Sequence, residues 1–306
     1  MRSSAIHRIL QSGLPGIHQF LLRRAKRIFH ALRTLGEKEF KNPDANDLKS
    51  IEVTLSKEGI LCGDYNISGK DFDSFKSRVG FPSDYHGGPD GAVYEEKLLE
   101  HYVAWDLLDL GTTGKRYLDI AGATSPWVHL LNSLEIEAYS IDLKVPDQFS
   151  NLECYIQGDA TATCFPDNYF DSASAQCSFE MFAEESDIRL ISEISRILKP
   201  GGRFVISPLY MHTHACFYQS PEYFGIIKGD AGAEAYIRRD CLGVPVSRKY
   251  SAKTLNERVF AHARKAGLMP SIYVLRNKME ISEKVYLHFI LVIDKPSVAK
   301  LTLKEA

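Results

Sequence analysis

The chain has 306 residues, more than one average domain needs, so a core carrying extensions is expected. Its composition is that of an ordinary soluble fold, 44% hydrophobic and 25% charged, and a net charge of −2 makes no electrostatic case for nucleic acid. No apolar run approaches the roughly 18 residues that span a bilayer, and the six cysteines are scattered without a C-x-x-C pair, which argues for reduced thiols in a cytoplasmic protein rather than a disulfide framework or a zinc site.

Positive charge gathers at the start, where Arg2, Arg8, Arg23, Arg24, Lys26, Arg27 and Arg33 precede the first acid, Glu37. Leu14, Ile17, Leu21, Ala25, Ile28, Leu32 and Leu35 recur at steps of three or four, which places them on one helix face with most of the cations off it. Residues 1–36 therefore read as a basic amphipathic helical extension. Four roles compete for it: packing on the protein's own core or on a second copy, lying on an anionic membrane surface, touching an anionic substrate polymer, or serving as a cleavable transit peptide.

Residues 37–90 read as a small α+β cap and linker. Glu37 to Lys49 is polar and linker-like, Ser50 to Ser68 alternates in hydrophobicity around Lys57-Glu58-Gly59 and predicts a short hairpin, and Asp71 to Gly80 predicts a small helix. A loop rich in glycine and proline follows, carrying Tyr85 and His86. Ala92 to Leu110 then reads as one amphipathic helix stopped by Gly111. From residue 91 onward strands and helices alternate. Strands are predicted at Arg116–Ile120, Ala138–Ile141, Cys154–Gln157, Phe170–Gln176 and Arg203–Pro208, with a helix over Glu185–Leu198. After an insertion, Leu209–Tyr250, come a helix over Ala252–Ala266 and two late strands, Ser271–Arg276 and Tyr286–Ile293. The expectation is an α/β fold: a Rossmann-like seven-stranded sheet with helices on both faces, preceded by the helical and hairpin extension.

Four signals stand in order along this core: Tyr117-Leu-Asp-Ile-Ala-Gly-Ala-Thr-Ser-Pro126, Tyr139-Ser-Ile-Asp142, Gly158-Asp-Ala leading to Phe165-Pro-Asp-Asn-Tyr-Phe-Asp171, and Glu193-Ile-Ser-Arg-Ile-Leu-Lys-Pro-Gly-Gly-Arg-Phe-Val-Ile206. In this arrangement the chain resembles the class I S-adenosylmethionine-dependent methyltransferases. The resemblance implies S-adenosyl-L-methionine as cofactor, with Asp119 at its methionyl end, Asp142 on the ribose and Asp159 near the adenine. The loop after the first strand must let backbone approach the ligand, which requires small residues. The family's glycine positions are held here by Ala121, Ala123 and Ser125, with Gly122 between the first two. Leu143, Ala160, Gln176 and Cys177 complete the expected cofactor set.

Two further stretches, Gln176-Cys-Ser-Phe-Glu-Met-Phe182 and Ser207-Pro-Leu-Tyr-Met-His-Thr-His214, resemble a bacterial subgroup associated with surface polysaccharide biosynthesis. Met181 stands where that subgroup is expected to carry histidine. The resemblance implies O-methylation of a sugar hydroxyl in a surface glycan or its precursor. It suits a cytoplasmic enzyme, with residues 14–35 as a contact for the inner-membrane periphery or a glycan-assembly complex. A hydroxyl acceptor needs a general base, and Glu180, His212 and His214 are the candidates. Alternation places the two histidines on one side of an extended segment, as a base pair or as half of a metal site, and the sequence assigns no metal. Tyr85, His86, Tyr94, Tyr210 and Arg248 are the candidate acceptor contacts. Two alternatives stand beside the glycan: a small hydroxylated metabolite or lipid as acceptor, and a non-catalytic cofactor-binding partner protein.

Overall fold

The computed structural model describes residues 15–112, 114–122 and 124–297; Ala123 and the first fourteen residues lie outside them, and with them the part of the transit-peptide reading that rests there. The first element, α1 (Pro15–Arg33), is the expected amphipathic helix. Its described apolar side chains Leu22, Ile28, Phe29 and Leu32 are exposed, as is Leu35 just beyond it. These described side chains do not pack on the protein's own core, and among the described residues hydrogen bonds tie the helix to the insertion at its end. Arg33 donates to the carbonyls of Phe224 and Pro221 at 2.8 Å, and Arg239 donates to the carbonyl of Thr34 at 2.7 Å.

The predicted hairpin is also corrected. Residues Ala45–Lys57 form helix α2, begun by a capping box in which Asp44 accepts from the backbone of Asn46 and Asp47 while Asp47 accepts from Asp44. Ile51, Val53 and Leu55 alternate in sequence, but Ile51 and Leu55 lie one helical turn apart and are buried, whereas Val53 faces solvent. The cap decides between the two periods, and it also removes the second half of the expected linker. Only Cys62–Tyr65 is extended, as β1. Helix α3 (Gly69–Val79) ends on Gly80 at φ +67°, and α4 (Tyr94–Leu107) matches the long helix expected before the core.

The core follows as β2 (Arg116–Ile120), α5 (Trp127–Ser133), β3 (Glu137–Asp142), β4 (Tyr155–Gln157), β5 (Phe170–Gln176), α6 (Ser186–Ile197) and β6 (Leu198–Ser207). The insertion supplies β7 (Cys216–Gln219), β8 (Glu234–Ile237) and β9 (Ser247–Lys249). A continuous helical stretch comes next: α7 (Ala252–Leu255), a π-helical turn (Asn256–Phe260) and α8 (Ala261–Lys265). The chain closes with β10 (Met269–Leu275), α9 (Lys278–Ile281) and β11 (Phe289–Asp294).

The main sheet has the order β1-β10-β11-β6-β5-β2-β3-β4, with β11 antiparallel to both neighbours and the remaining pairs parallel. Seven strands follow the expected pattern, and β1 adds an eighth beside β10. The two faces are separated by alternation along the strands. Leu118, Ile120, Phe204 and Ile206 pack with α2, α6 and the π-turn, while Tyr117 and Val205 pack with α3, α4 and α5. The insertion forms a second sheet, β8-β7-β9, and a bridge from Glu39 to Ile237 ties it to the segment before α2. Among the described residues no helix is long and apolar enough to cross a membrane.

Candidate active site

Strand order reverses between β2 and β5, and the crevice beyond their carboxyl ends is where such a sheet receives a ligand. A cavity of about 460 Å³ opens there. It is lined by Ala121, Asp142, Leu143, Asp159, Ala160 and Cys177 among the expected cofactor residues, and also by Ser178, Met181 and Phe182. Asp142 ends β3 and accepts from the backbone of Lys144 at 3.1 Å; Asp159 is exposed and shapes its own loop by accepting from the backbone and hydroxyl of Thr161, both at 2.8 Å.

Asp119, near the end of β2, is 2% exposed and is not itself among the residues that line this cavity. Burial, with the charge of Asp142 added, pushes its carboxyl up to about 8. Its Oδ1 is buried and has no hydrogen-bond partner among the described residues. A buried carboxylate with an orphaned oxygen, packed under the loop whose Ala121 lines the crevice, fits a cationic amine or sulfonium. The loop above it fits as well. Ala121 adopts φ +57°, and a Cβ on Gly122 would come 1.9 Å from Asp119 Oδ2, so backbone and carboxylate approach closely only because residue 122 has no side chain. Gln176 serves the layer below, donating to Ser174 Oγ at 3.0 Å and to Tyr117 Oη at 3.4 Å. Ala123 is outside the described residues.

A second cavity, about 550 Å³, adjoins the first. Cys177 lines both, held at φ +49° at the end of β5. The turn Phe179–Met181 divides its side chains between the two: Met181 faces the cofactor cavity and Glu180 the second one. Met181 thus occupies a cofactor-side position, and its difference from histidine leaves the carboxylate of the neighbouring cavity in place. Glu180 is 7% exposed, Cys177 Sγ donates to its Oε1 at 3.7 Å, and its Oε2 is buried without a hydrogen-bond partner among the described residues.

Around Glu180 stands a polar cluster drawn from α4, β9 and the loops before β7 and β11, none of whose residues except Tyr210 was among the expected site residues. Lys97 donates to both oxygens of the buried Glu100 at 2.9 Å, and Tyr286 donates to Glu100 Oε1 at 3.5 Å. Burial raises the Glu100 carboxyl and that of its neighbour Glu96, which accepts from the backbone of Tyr286 and Leu287. Burial pulls Lys97 down, but the facing Glu100 outweighs it and Lys97 ends above its ordinary value. Tyr210, an expected contact, lies 3.4 Å from Cys177 Sγ and lines the cavity. Beneath its ring sits Lys249, 3% exposed, its Nζ 3.6 Å from the ring centre, with burial lowering its ammonium to about 8. The one helical signal for this cluster is the i, i+3 spacing of Lys97 and Glu100 on α4.

The other expected residues go elsewhere. His212 and His214 line neither cavity; they meet each other edge to face at 4.5 Å just before β7. Tyr85 and His86 sit in the turn before α4, where Tyr85 pairs with the ring of His101 at 2.8 Å, and Tyr94 packs on the core; none of the three lines either of these two cavities. Arg248 is 2% exposed and held in a closed ion network, so the expected substrate contact is corrected to a structural one.

Residues 108–206 match the methyltransferase domain family. This methyltransferase match covers the strands that build the cofactor crevice, and S-adenosylmethionine is the cofactor of that domain. Relatives of known name agree in class. The chain is 26% identical over 136 residues to a demethylmenaquinone methyltransferase of Renibacterium salmoninarum, covering 38% of this chain and 56% of that protein. It is 28% identical over 148 residues to a ubiquinone/menaquinone biosynthesis C-methyltransferase of Erwinia tasmaniensis, covering 40% of this chain and 58% of that protein. The chain spans about half the length of the curated relatives it matches. Among solved structures, the 1,6-didemethyltoxoflavin-N1-methyltransferase of Burkholderia thailandensis is similar with a TM-score of 0.45 and 17% identity, over 78% of this chain and 95% of that one.

Proposed function

We propose that this protein transfers a methyl group to a hydroxyl of a sugar, in a surface glycan or its precursor, using S-adenosylmethionine. The observation that carries the reading is the contact of two cavities at Cys177, with Glu180 on the acceptor side and its Oε2 buried without a partner among the described residues. Bound S-adenosylmethionine supplies a methyl carried on a sulfonium, whose bond to sulfur breaks as the new bond to oxygen forms. Asp142 and Asp159 orient the nucleoside end, and Asp119 faces the cationic end. Glu180 takes the hydroxyl proton, and the Tyr210 and Tyr286 rings, 6.4 Å apart, flank the acceptor. A cavity carrying Lys97, Arg238 and Lys278 as well as Glu180 supports a hydroxylated, polar acceptor. The exposed apolar side chains of α1, with Arg24, Lys26 and Arg27 among them, support the expected contact with a membrane periphery or assembly partner.

The names of the curated relatives support a second reading, methylation at a ring carbon of a quinone, for which the aromatic walls of the same cavity would serve. Incubation with labelled cofactor and a panel of glycosides and demethylated quinones, followed by locating the label on oxygen or carbon, separates the two. Calorimetric titration tests the common part. S-adenosylhomocysteine binds the wild type, and Asp142→Ala loses most of that affinity; equal binding by both proteins would remove the crevice from the account.

Asp119 adds a pH dependence. Its folded value near 8 lies above the ordinary 3.8, so folding stability from this group is lost as pH rises from about 4 through 8. A cationic ligand favours the ionised form. Affinity for S-adenosylmethionine therefore rises with pH up to about 8 and levels off above it, with roughly one proton released on binding at neutral pH. Titrations in two buffers of different ionisation enthalpy check this, and absence of proton release would contradict it.

A further inference from the structure

Three side chains set aside by the reaction meet on the insertion. His212, His214 and Cys216 each offer a ligand atom, and these atoms all lie within 4.8 Å of one another. In a straight strand residues i and i+4 would be about 13 Å apart along the chain. Here the backbone bends at Thr213 and His214 before β7 begins, and the bend turns the three side chains together. Thr213 Oγ1 lies 3.3 Å from Nδ1 of His212 and 3.2 Å from Nδ1 of His214, the kind of outer contact that orients imidazole ligands. Glu234, whose Oε1 pairs with Lys38, places Oε2 3.3 Å from His214 Nε2, which also meets Tyr236 Oη at 3.0 Å, so an oxygen donor stands beside the three grouped atoms across the β7–β8 pairing.

We propose that His212, His214 and Cys216 bind a divalent cation of the zinc class, with Glu234 as the fourth donor. Two imidazoles, a thiolate and a carboxylate are the mixed nitrogen, sulfur and oxygen set that zinc accepts in tetrahedral geometry. Ligand atoms around zinc stand roughly 3.5 Å apart, so closure from 4.8 Å asks for side-chain rotation and no backbone rearrangement. On coordination the Cys216 S–H bond is replaced by a sulfur–metal bond, its proton passes to solvent, and no electron changes hands. The ion would join the start of β7 to β8 and so brace the insertion that carries Tyr218 and Arg238 to the acceptor cavity. Because the cluster lines neither cavity, the role is structural.

The test is titration of chelator-treated full-length protein with cobalt(II). Binding should produce a thiolate-to-cobalt charge-transfer band in the near ultraviolet and the visible bands of a tetrahedral ion, both displaced by zinc. Cys216 is fully buried, so its replacement risks the fold. The partly exposed His214→Gln and His212→Gln carry the test instead, with far-ultraviolet circular dichroism confirming that each is folded. Each should weaken cobalt binding by about tenfold or more, and zinc should raise the melting temperature of the wild type but not of the variants. A missing charge-transfer band, or a band that persists unchanged in both variants because another thiol supplies it, overturns the site.

Discussion

Glu180→Gln should lower the rate of methyl transfer by about a hundredfold to ten-thousandfold, the range that loss of a positioned general base produces. The substitution keeps the size of the side chain and an acceptor oxygen for the Cys177 thiol, and removes only the capacity to take a proton. Glu180 is suited to that role by its position. It faces the acceptor cavity one residue before Met181 enters the cofactor cavity, and its Oε2 is buried with no other described group to bind. Affinity for S-adenosylhomocysteine should not change, because Glu180 does not line the crevice that holds the nucleoside. A variant that binds the cofactor normally and turns over at the wild-type rate would transfer the base to another residue of the cavity wall, where Lys97 stands paired with the buried Glu100.

Arg248→Ala should cost about 3–5 kcal/mol of stability, the penalty for breaking a buried ion pair from one side. The guanidinium lies 2.7 Å from Asp187 Oδ2, pairs with Asp230, and donates to the carbonyl of Glu184 at 2.8 Å and to Tyr250 Oη at 3.1 Å. Asp187 is itself fully buried and keeps Arg258 and Tyr250 as partners, but Asp230 loses its guanidinium altogether. A fall in melting temperature on the order of 10 °C is expected from such a loss. The residual activity measured on folded protein should show an unchanged KM for the acceptor. A raised KM with unaltered melting would instead restore Arg248 to the substrate contacts that its sequence position first implied. The network also explains why four basic residues near the insertion do not form an open anion site: Arg238 pairs with Asp240, Arg239 binds Thr34, Arg248 is enclosed, and Lys249 lies under Tyr210.

The α/β alternation and the cofactor crevice were legible in the amino-acid order because both depend on local features. Strand ends carrying Asp119, Asp142 and Asp159 follow from hydrophobic runs stopped by small and acidic residues, and a parallel sheet of this order places those ends in one crevice. Where local signals conflicted the reading failed. Ile51, Val53 and Leu55 fit both a strand and a helix, and the deciding element was the capping pair Asp44 and Asp47, which nucleates α2. Histidines two residues apart read as a base pair beside the substrate, yet a bend before β7 turns their rings against each other and neither lines the two cavities.

The acceptor cavity had no such local signature. Its walls come from Asn42, Lys97, Glu180, Tyr210, Arg238 and Tyr286, six segments that meet only after the N-terminal segment bridges to β8 and the insertion folds over the sheet. The sequence by itself determined which residues end the strands, because that depends on neighbours a few positions away. The folded chain determined which polar groups lose water together and which find partners, because burial and pairing depend on segments brought together from distant parts of the chain.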